Sequence, residues 1–208
     1  MEQRVSGSDD KWEQILRVAA RLFAQRGYHG TGMTELGDAA GLQRGALYYY
    51  IRSKENLLYE ISSRHVAEMV DFGERLAKEE RPATDKLLRL SERLIRTIHD
   101  DLDEVTVFFR EIGALTGERR QRVFELRDRF EEVWMSILQQ GVSEGTFRRA
   151  DPLLIKAVLG MHNYSYLWLR PDGKMQPEEV ARYFCELLFR GILTETGDAE
   201  YRSFTANS

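Results

Sequence analysis

An all-α fold follows from three features of the chain. Its 208 residues include only four prolines, so long stretches run without a breaker. Apolar residues recur at three- and four-residue intervals, and strict polar–apolar alternation is scarce. Hydrophobic residues make up 42% of the chain, enough to bury a sizeable core. The expected architecture has about nine helices. Three form an N-terminal head, a long fourth joins that head to a body, and the rest build the body.

The elements can be placed in order. Residues 1–8 read as a flexible arm. Ser8, Asp9 and Asp10 then offer capping oxygens to a first helix that ends near Arg26. Its Ile15, Val18, Ala19, Leu22 and Phe23 form one stripe, and Gly27 suits a left-handed stop. A second helix covers Met33 to Ala40, with Leu36 and Ala39 facing inward, and Gly41 makes the turn. The third spans Gln43 to Tyr50. Ser53 caps the fourth, which carries Glu55 and Asn56 in its first turn and reaches about Lys78. Leu57, Leu58, Ile61, Val66, Met69, Val70 and Phe72 are its inner positions. Pro82 breaks the chain. Helices then cover residues 83–100, 102–115, 118–144, 152–170 and 177–193, with Pro152 and Pro177 in first turns and Gly145 and Gly173 in connections. The domains are therefore a head at 1–57, a body at 58–196 and a loose tail at 197–208. Because that boundary falls inside a helix, head and body should be mechanically joined.

Charge is unevenly divided. The net charge is −4, yet residues 1–57 hold eight Lys/Arg against seven Asp/Glu, which leaves the acidic excess in the body. A local basic face is enough for phosphate attraction, because screening confines it to about 8–10 Å. The single cysteine, Cys185, permits no internal disulfide, so a reducing cytoplasm is the default. The polar start MEQRVSGSDDKWEQ carries no signal-peptide pattern. The longest apolar run, Leu153 to Leu169, is interrupted by Lys156, His162 and Asn163 and reads as a buried helix, so no membrane partner is expected.

Residues 31–58 carry the chemistry. A helix-turn-helix needs two short helices at a steep angle, a glycine in the turn and small residues at the crossing. Gly41 and Ala39–Ala40 meet those needs. The second helix must then present donors and acceptors near its start. Gln43 and Arg44 sit there, and these side chains pair bidentately with adenine and guanine. Gly45 and Ala46 keep the surface low. Of the run Tyr48, Tyr49 and Tyr50, one ring should pack inward and the others reach phosphates. Lys54, at the start of the fourth helix, and Thr31 and Thr34, at the front of the second, are further phosphate candidates.

The string Phe23, Gly27, Tyr28, Thr31, Leu36, Ala39–Ala40–Gly41, Gly45, Leu47–Tyr48, Tyr50, Ser53–Lys54–Glu55 and Leu57–Leu58 resembles the TetR family of one-component transcriptional regulators. The resemblance implies a homodimer whose two recognition helices read a palindromic DNA operator. It also implies a body that binds a small-molecule effector and releases the DNA. Repression is the family default. Gly32 stands where the family often carries Ser or Thr, and Gly37 where Ala is usual.

The same resemblance places dimerisation near the C-terminus, where Met161, Tyr164, Trp168, Tyr183, Phe184, Leu187 and Leu188 are compatible residues. Each could equally be intramolecular core. A ligand pocket between helices four to eight could draw on Phe108, Arg110, Glu111, Trp134, Met161 and Asn163, although most aromatic and sulfur side chains there serve as plain core. His162 reads first as a satisfied core histidine. The stretches Gln140–Gly141, Glu144–Gly145–Thr146–Phe147–Arg148 and Trp168–Leu169–Arg170–Pro171–Asp172–Gly173 are similar to TetR regulators of fatty-acid or sterol catabolism, some of which sense acyl-CoA thioesters. Arg93, Arg96 and Arg110 could then face phosphates, or could be solvated surface.

Enzyme signatures are missing. Gly30–Thr31–Gly32 begins like a dinucleotide loop, but Glu35 occupies the third glycine position and a helix precedes it. His29, His65, His99 and His162 are scattered, and no metal site or cofactor is expected. Two functions remain: a ligand-responsive DNA-binding regulator, or a helical protein-interaction module whose helix-turn-helix does not touch DNA.

Overall fold

Ten α-helices and two short 3-10 turns run through the computed structural model, which describes residues 3–206, without the side chains of residues 3–9, Arg44, Leu47, Tyr48, Glu200 and residues 203–206. The helices are α1 (Gln3–Arg26), α2 (Met33–Ala39), α3 (Arg44–Tyr50), α4 (Lys54–Ala77), α5 (Ala83–Asp100), α6 (Leu102–Glu111), α7 (Gly117–Ser143), α8 (Pro152–Asn163), α9 (Pro177–Ile192) and α10 (Glu195–Ala206). One 3-10 turn, Ile112–Ala114, follows α6, and another, Tyr164–Leu167, follows α8. Among the described residues the one strand-like pairing is an isolated antiparallel bridge between Phe147 and Leu193.

Several boundaries differ from the sequence expectation. Helix α1 begins at Gln3, so Ser8, Asp9 and Asp10 lie within its run and not at its start. Helix α8 ends at Asn163 instead of continuing to 170; the chain tightens, and the Trp168 N–H bonds the Ser165 carbonyl three residues back. Where the sequence reads as a loose tail, α10 forms. Thr194 starts it: its Oγ1 accepts from the Gly197 N–H at 3.0 Å and its carbonyl from the Asp198 N–H at 2.9 Å. A side chain at Gly197 would meet the Thr146 carbonyl at 2.4 Å, so only glycine lets the helix start so close. The Tyr201 ring then packs edge-on against Phe189, centroids 4.9 Å apart.

The chain divides into two compact units, Met1–Val66 with Asp101–Leu126, and Ala67–Asp100 with Arg127–Ser208. Two of the three breaks fall inside a helix, α4 and α7, and the third lies between α5 and α6. In the first unit α6 lies along α1, and Val107, Phe108, Leu115 and Val123 share one core with Ile15, Ala19, Phe23, Leu36, Leu57 and Leu58. Helix α6 and the start of α7, read as body from the sequence, thus pack with the head.

In the second unit α5 and α9 pair extensively. Lys86 is buried there, and its ammonium donates to the Ala77 carbonyl at 2.7 Å and to Gln140 Oε1 at 2.8 Å. It closes the C-terminus of α4, where the helix dipole favours a positive charge. Cys185 is buried beside α5, and burial pushes its thiol up to about 12, which keeps it protonated.

Candidate nucleic-acid interface

The turn between α2 and α3 is closed by two backbone bonds, Gly41 N–H to the Asp38 carbonyl at 3.1 Å and Leu42 N–H to the Gly37 carbonyl at 2.9 Å. This closure requires Gly41 in the left-handed region, and its φ is +63°. Leu36, Gly37 and Ala40 are the buried positions of the segment. Ala39, expected inside, is exposed. One turn of helix separates Leu36 from Ala40, so the inward stripe passes through Ala40 instead.

Helix α3 is anchored by Leu42 and Tyr50, packed against the core, and by the wholly buried Ile51 just after it. Its other side is open. Gln43 and Gly45 are exposed, Ala46 is half-exposed and Tyr49 is 81% exposed. Nothing lies within 4 Å of where a Gly45 side chain would be. Of the two described rings of the tyrosine run, Tyr50 is the inward one, with Tyr49 edge-on to it at 5.2 Å. The Arg44 and Tyr48 side chains, both expected DNA contacts, lie outside the described residues.

Two expected phosphate contacts are engaged internally. Thr31 is 1% exposed, and its hydroxyl donates to the Gly27 carbonyl at 2.9 Å. It completes the C-terminus of α1 and cannot reach a phosphate. Lys54 is half-buried; its ammonium donates to the carbonyls of Tyr28 at 2.8 Å and Thr31 at 3.0 Å, over the Tyr28 ring. Two of its three N–H groups thus clamp the α1–α2 loop. Thr34 remains exposed at the front of α2, where Gly32 is an N-cap without a side-chain bond.

Ser53 caps α4 as expected, its Oγ accepting from the Asn56 N–H at 3.0 Å. Glu55 does more than its place in the first turn of α4 suggests. Its carboxylate accepts from the Thr116 N–H at 3.1 Å and hydroxyl at 2.9 Å, and from Arg119 at 3.2 Å. These bonds, led by Thr116, hold its carboxyl below the ordinary value of 4.5. The pair borders a polar cleft of about 460 Å3 whose wall includes Tyr59 and Arg122. No local pattern could have revealed it, because its two sides are 61 residues apart. The surface pair Arg26–Glu35 ties α1 to α2, and Arg64 pairs with Glu13.

The residues named for a ligand pocket divide between the units. Phe108, Arg110 and Glu111 belong to the first; Trp134, Met161 and Asn163 belong to the second. Phe108 and Trp134 are buried, Met161, Asn163 and Glu111 are half-buried, and Arg110 is exposed. Arg93 lies 3.7 Å from Glu68, and Arg96 pairs with Glu178, both as exposed surface pairs. His162 is a satisfied core residue, bonded to Ser91 Oγ at 2.7 Å and to the Val158 carbonyl at 2.8 Å. Burial lowers its pKa to about 4.

The residues named for dimerisation separate by face. Tyr164, Trp168, Tyr183 and Leu187 are exposed. Phe184 and Leu188 are buried within the chain, with Phe184 against Trp168 and His162, so these two correct the expectation. On α9 the pairs Tyr183/Leu187 and Phe184/Leu188 are adjacent stripes about 100° apart, one outside and one inside. Leu153, the first residue of the apolar run read as buried, is 73% exposed, and Met175 is an exposed apolar residue as well.

A helix-turn-helix with an open second helix, set in an all-helical chain with a second helical unit, defines a DNA-binding regulator. The chain belongs to the tetR family of bacterial regulatory proteins, whose family model matches residues 15–61, and the tetracyclin repressor-like C-terminal domain matches residues 80–192. It is 29% identical over 194 residues to the HTH-type transcriptional repressor KstR2 of Rhodococcus jostii (strain RHA1), covering 90% of this chain and 93% of that one. Among solved structures it is similar to the TetR family regulator PfmR from Thermus thermophilus, with a TM-score of 0.79 and 39% identity over 85% of this chain and 97% of that one. It is also similar to AibR, solved in complex with isovaleryl coenzyme A and operator DNA, with a TM-score of 0.72 and 28% identity over 86% and 98% of the two chains. The chain is therefore a transcriptional regulator.

Proposed function

We propose that this regulator is a repressor that binds a palindromic operator as a homodimer and leaves it on binding a small hydrophobic or acyl-CoA-like effector. One observation carries the reading: Gln43, Gly45, Ala46 and Tyr49 form an open face on a short helix fixed from behind by Tyr50 and Ile51. Such a face can enter a major groove without moving the core. Arg44 joins the reading by position, and Thr34 is free to approach a phosphate.

Reading a palindrome takes two copies at matched spacing, about 34–36 Å or a related separation. The exposed strip Tyr164, Trp168, Tyr183 and Leu187 supports a second copy of this chain as its cover. Similarity to AibR, solved with isovaleryl coenzyme A, supports an acyl-CoA effector. The effector prefers, by a few kcal/mol, a form whose heads are wrongly spaced for the operator. The protein acts in the cytoplasm, with the DNA.

The test is a binding screen against duplex fragments of its own upstream region across a salt series. Log affinity should fall linearly with log salt, with a slope of about −0.9 per phosphate contact. No duplex binding at low salt by a confirmed dimer would refute the reading and leave a protein-interaction module in its place.

A further inference from the structure

Two hydrogen-bond donors in the core of the second unit have nothing to bond. Trp134 Nε1, on α7, and Ser165 Oγ, in the 3-10 turn after α8, lack a partner, although both residues are 0% exposed. They lie in the same neighbourhood. The Trp134 ring stands 5.4 Å from the His162 ring, and Ser165 follows His162 by three residues, one turn along the chain. Buried donors are ordinarily paired, and an unpaired one costs stability.

His162 cannot supply the missing acceptor. Its Nδ1 lies 2.8 Å from the Val158 carbonyl, which can only accept, so Nδ1 carries the proton. Nε2 is then the acceptor, and Ser91 Oγ fills it at 2.7 Å. Both ring nitrogens are spent and the ring is neutral. The rings packed beside them are apolar: Phe130 stands edge-on to Trp134, and Phe184 edge-on to His162. An anionic group would bring an uncompensated charge against these rings and a neutral imidazole. A neutral acceptor with two lone pairs and no proton would satisfy the donors.

We propose that Trp134 and Ser165 read the effector, and that the group they recognise is a carbonyl oxygen, that of an acyl thioester. This rests on the acyl-effector reading above and specifies which atom of such a ligand the body senses. A saturated chain without the carbonyl would leave both donors unpaired.

The experiment compares two ligand series by titration calorimetry with the full-length protein. One series is butanoyl-, octanoyl- and palmitoyl-CoA; the other is the matching S-alkyl CoA thioethers, identical in length and headgroup but without the carbonyl. Wild type should bind a thioester about tenfold more tightly than its thioether, as for one or two net hydrogen bonds. In Trp134→Phe and Ser165→Ala that preference should shrink severalfold while thioether affinity stays the same. Ser165→Ala is nearly isosteric, so a loss of preference there cannot be ascribed to a cavity. Equal wild-type affinity for both series, or a preference that persists in both variants, overturns the inference and leaves the acyl-CoA reading standing. Failure of wild type to bind any member of either series overturns both.

Discussion

The Lys54 ammonium stands 4.4 Å from the centre of the Tyr28 ring and donates to the Tyr28 carbonyl at 2.8 Å. A charged donor on two carbonyls and a ring fixes the loop that precedes α2. Lys54→Met should destabilise the protein by about 2 kcal/mol, from charge-assisted hydrogen bonds and a cation–π contact. Chemical denaturation measures the loss. The salt slope of DNA binding should stay unchanged; a slope shallower by about 0.9 would make Lys54 a phosphate contact after all.

Glu55 offers a pH test. Its carboxyl titrates below the ordinary 4.5 because the folded chain supplies donors at Thr116 and Arg119. A depressed folded pKa gives stability that is present above the unfolded value and lost as pH falls through the folded one. Melting temperatures of wild type and Glu55→Gln should differ by a constant amount above about pH 5 and converge in more acidic buffer. A gap that persists unchanged to low pH would show that the carboxylate charge contributes nothing.

His162 has the same sign by a different cause. Burial lowers its pKa from 6.5 to about 4, so the unfolded chain binds the proton more readily. Stability from this group is complete above pH 6.5 and declines as pH falls to about 4, by at most about 3 kcal/mol. His65, beneath the edge of Phe108, is also lowered to about 4 and adds a parallel decline. His162→Gln should remove one of the two from the pH–stability profile. An unaltered profile would mean that His162 already takes up its proton in the folded state.

The outer stripe of α9 provides a clean assembly test. Tyr183 is 60% exposed and Leu187 49%, so a charge at either position need not disturb the chain's own packing. Leu187→Asp should yield a monomer by analytical ultracentrifugation, with helix content retained and operator affinity reduced at least about tenfold. A dimer of undiminished strength would move the subunit contact elsewhere.

Much of this was legible in the amino-acid order. Stripes such as Ile15–Ala19–Phe23 and Leu57–Ile61, the Gly41 turn and the Ser53 cap are local patterns with local causes. What escaped depends on distant segments. The Thr31 hydroxyl looks free at a helix start and is consumed because the chain folds back on α1 at Gly27. Glu55 looks like ordinary first-turn chemistry until Thr116 arrives from 61 residues away. Residues 183 and 184 are both aromatic, and only the tertiary packing of α9, with Phe184 against His162 and Trp168, decides which is covered.

Helix α10 turns the end of the chain into part of its shelter. Tyr201 packs edge-on against Phe189, which also stacks with Phe147 at 6.1 Å. A frameshift or protease nick just after Leu193 would leave the reading head's sequence untouched yet bare a sticky aromatic seam. Such a shortened product should clump before it ever meets a promoter, so its silence in a reporter strain would say nothing about recognition of DNA.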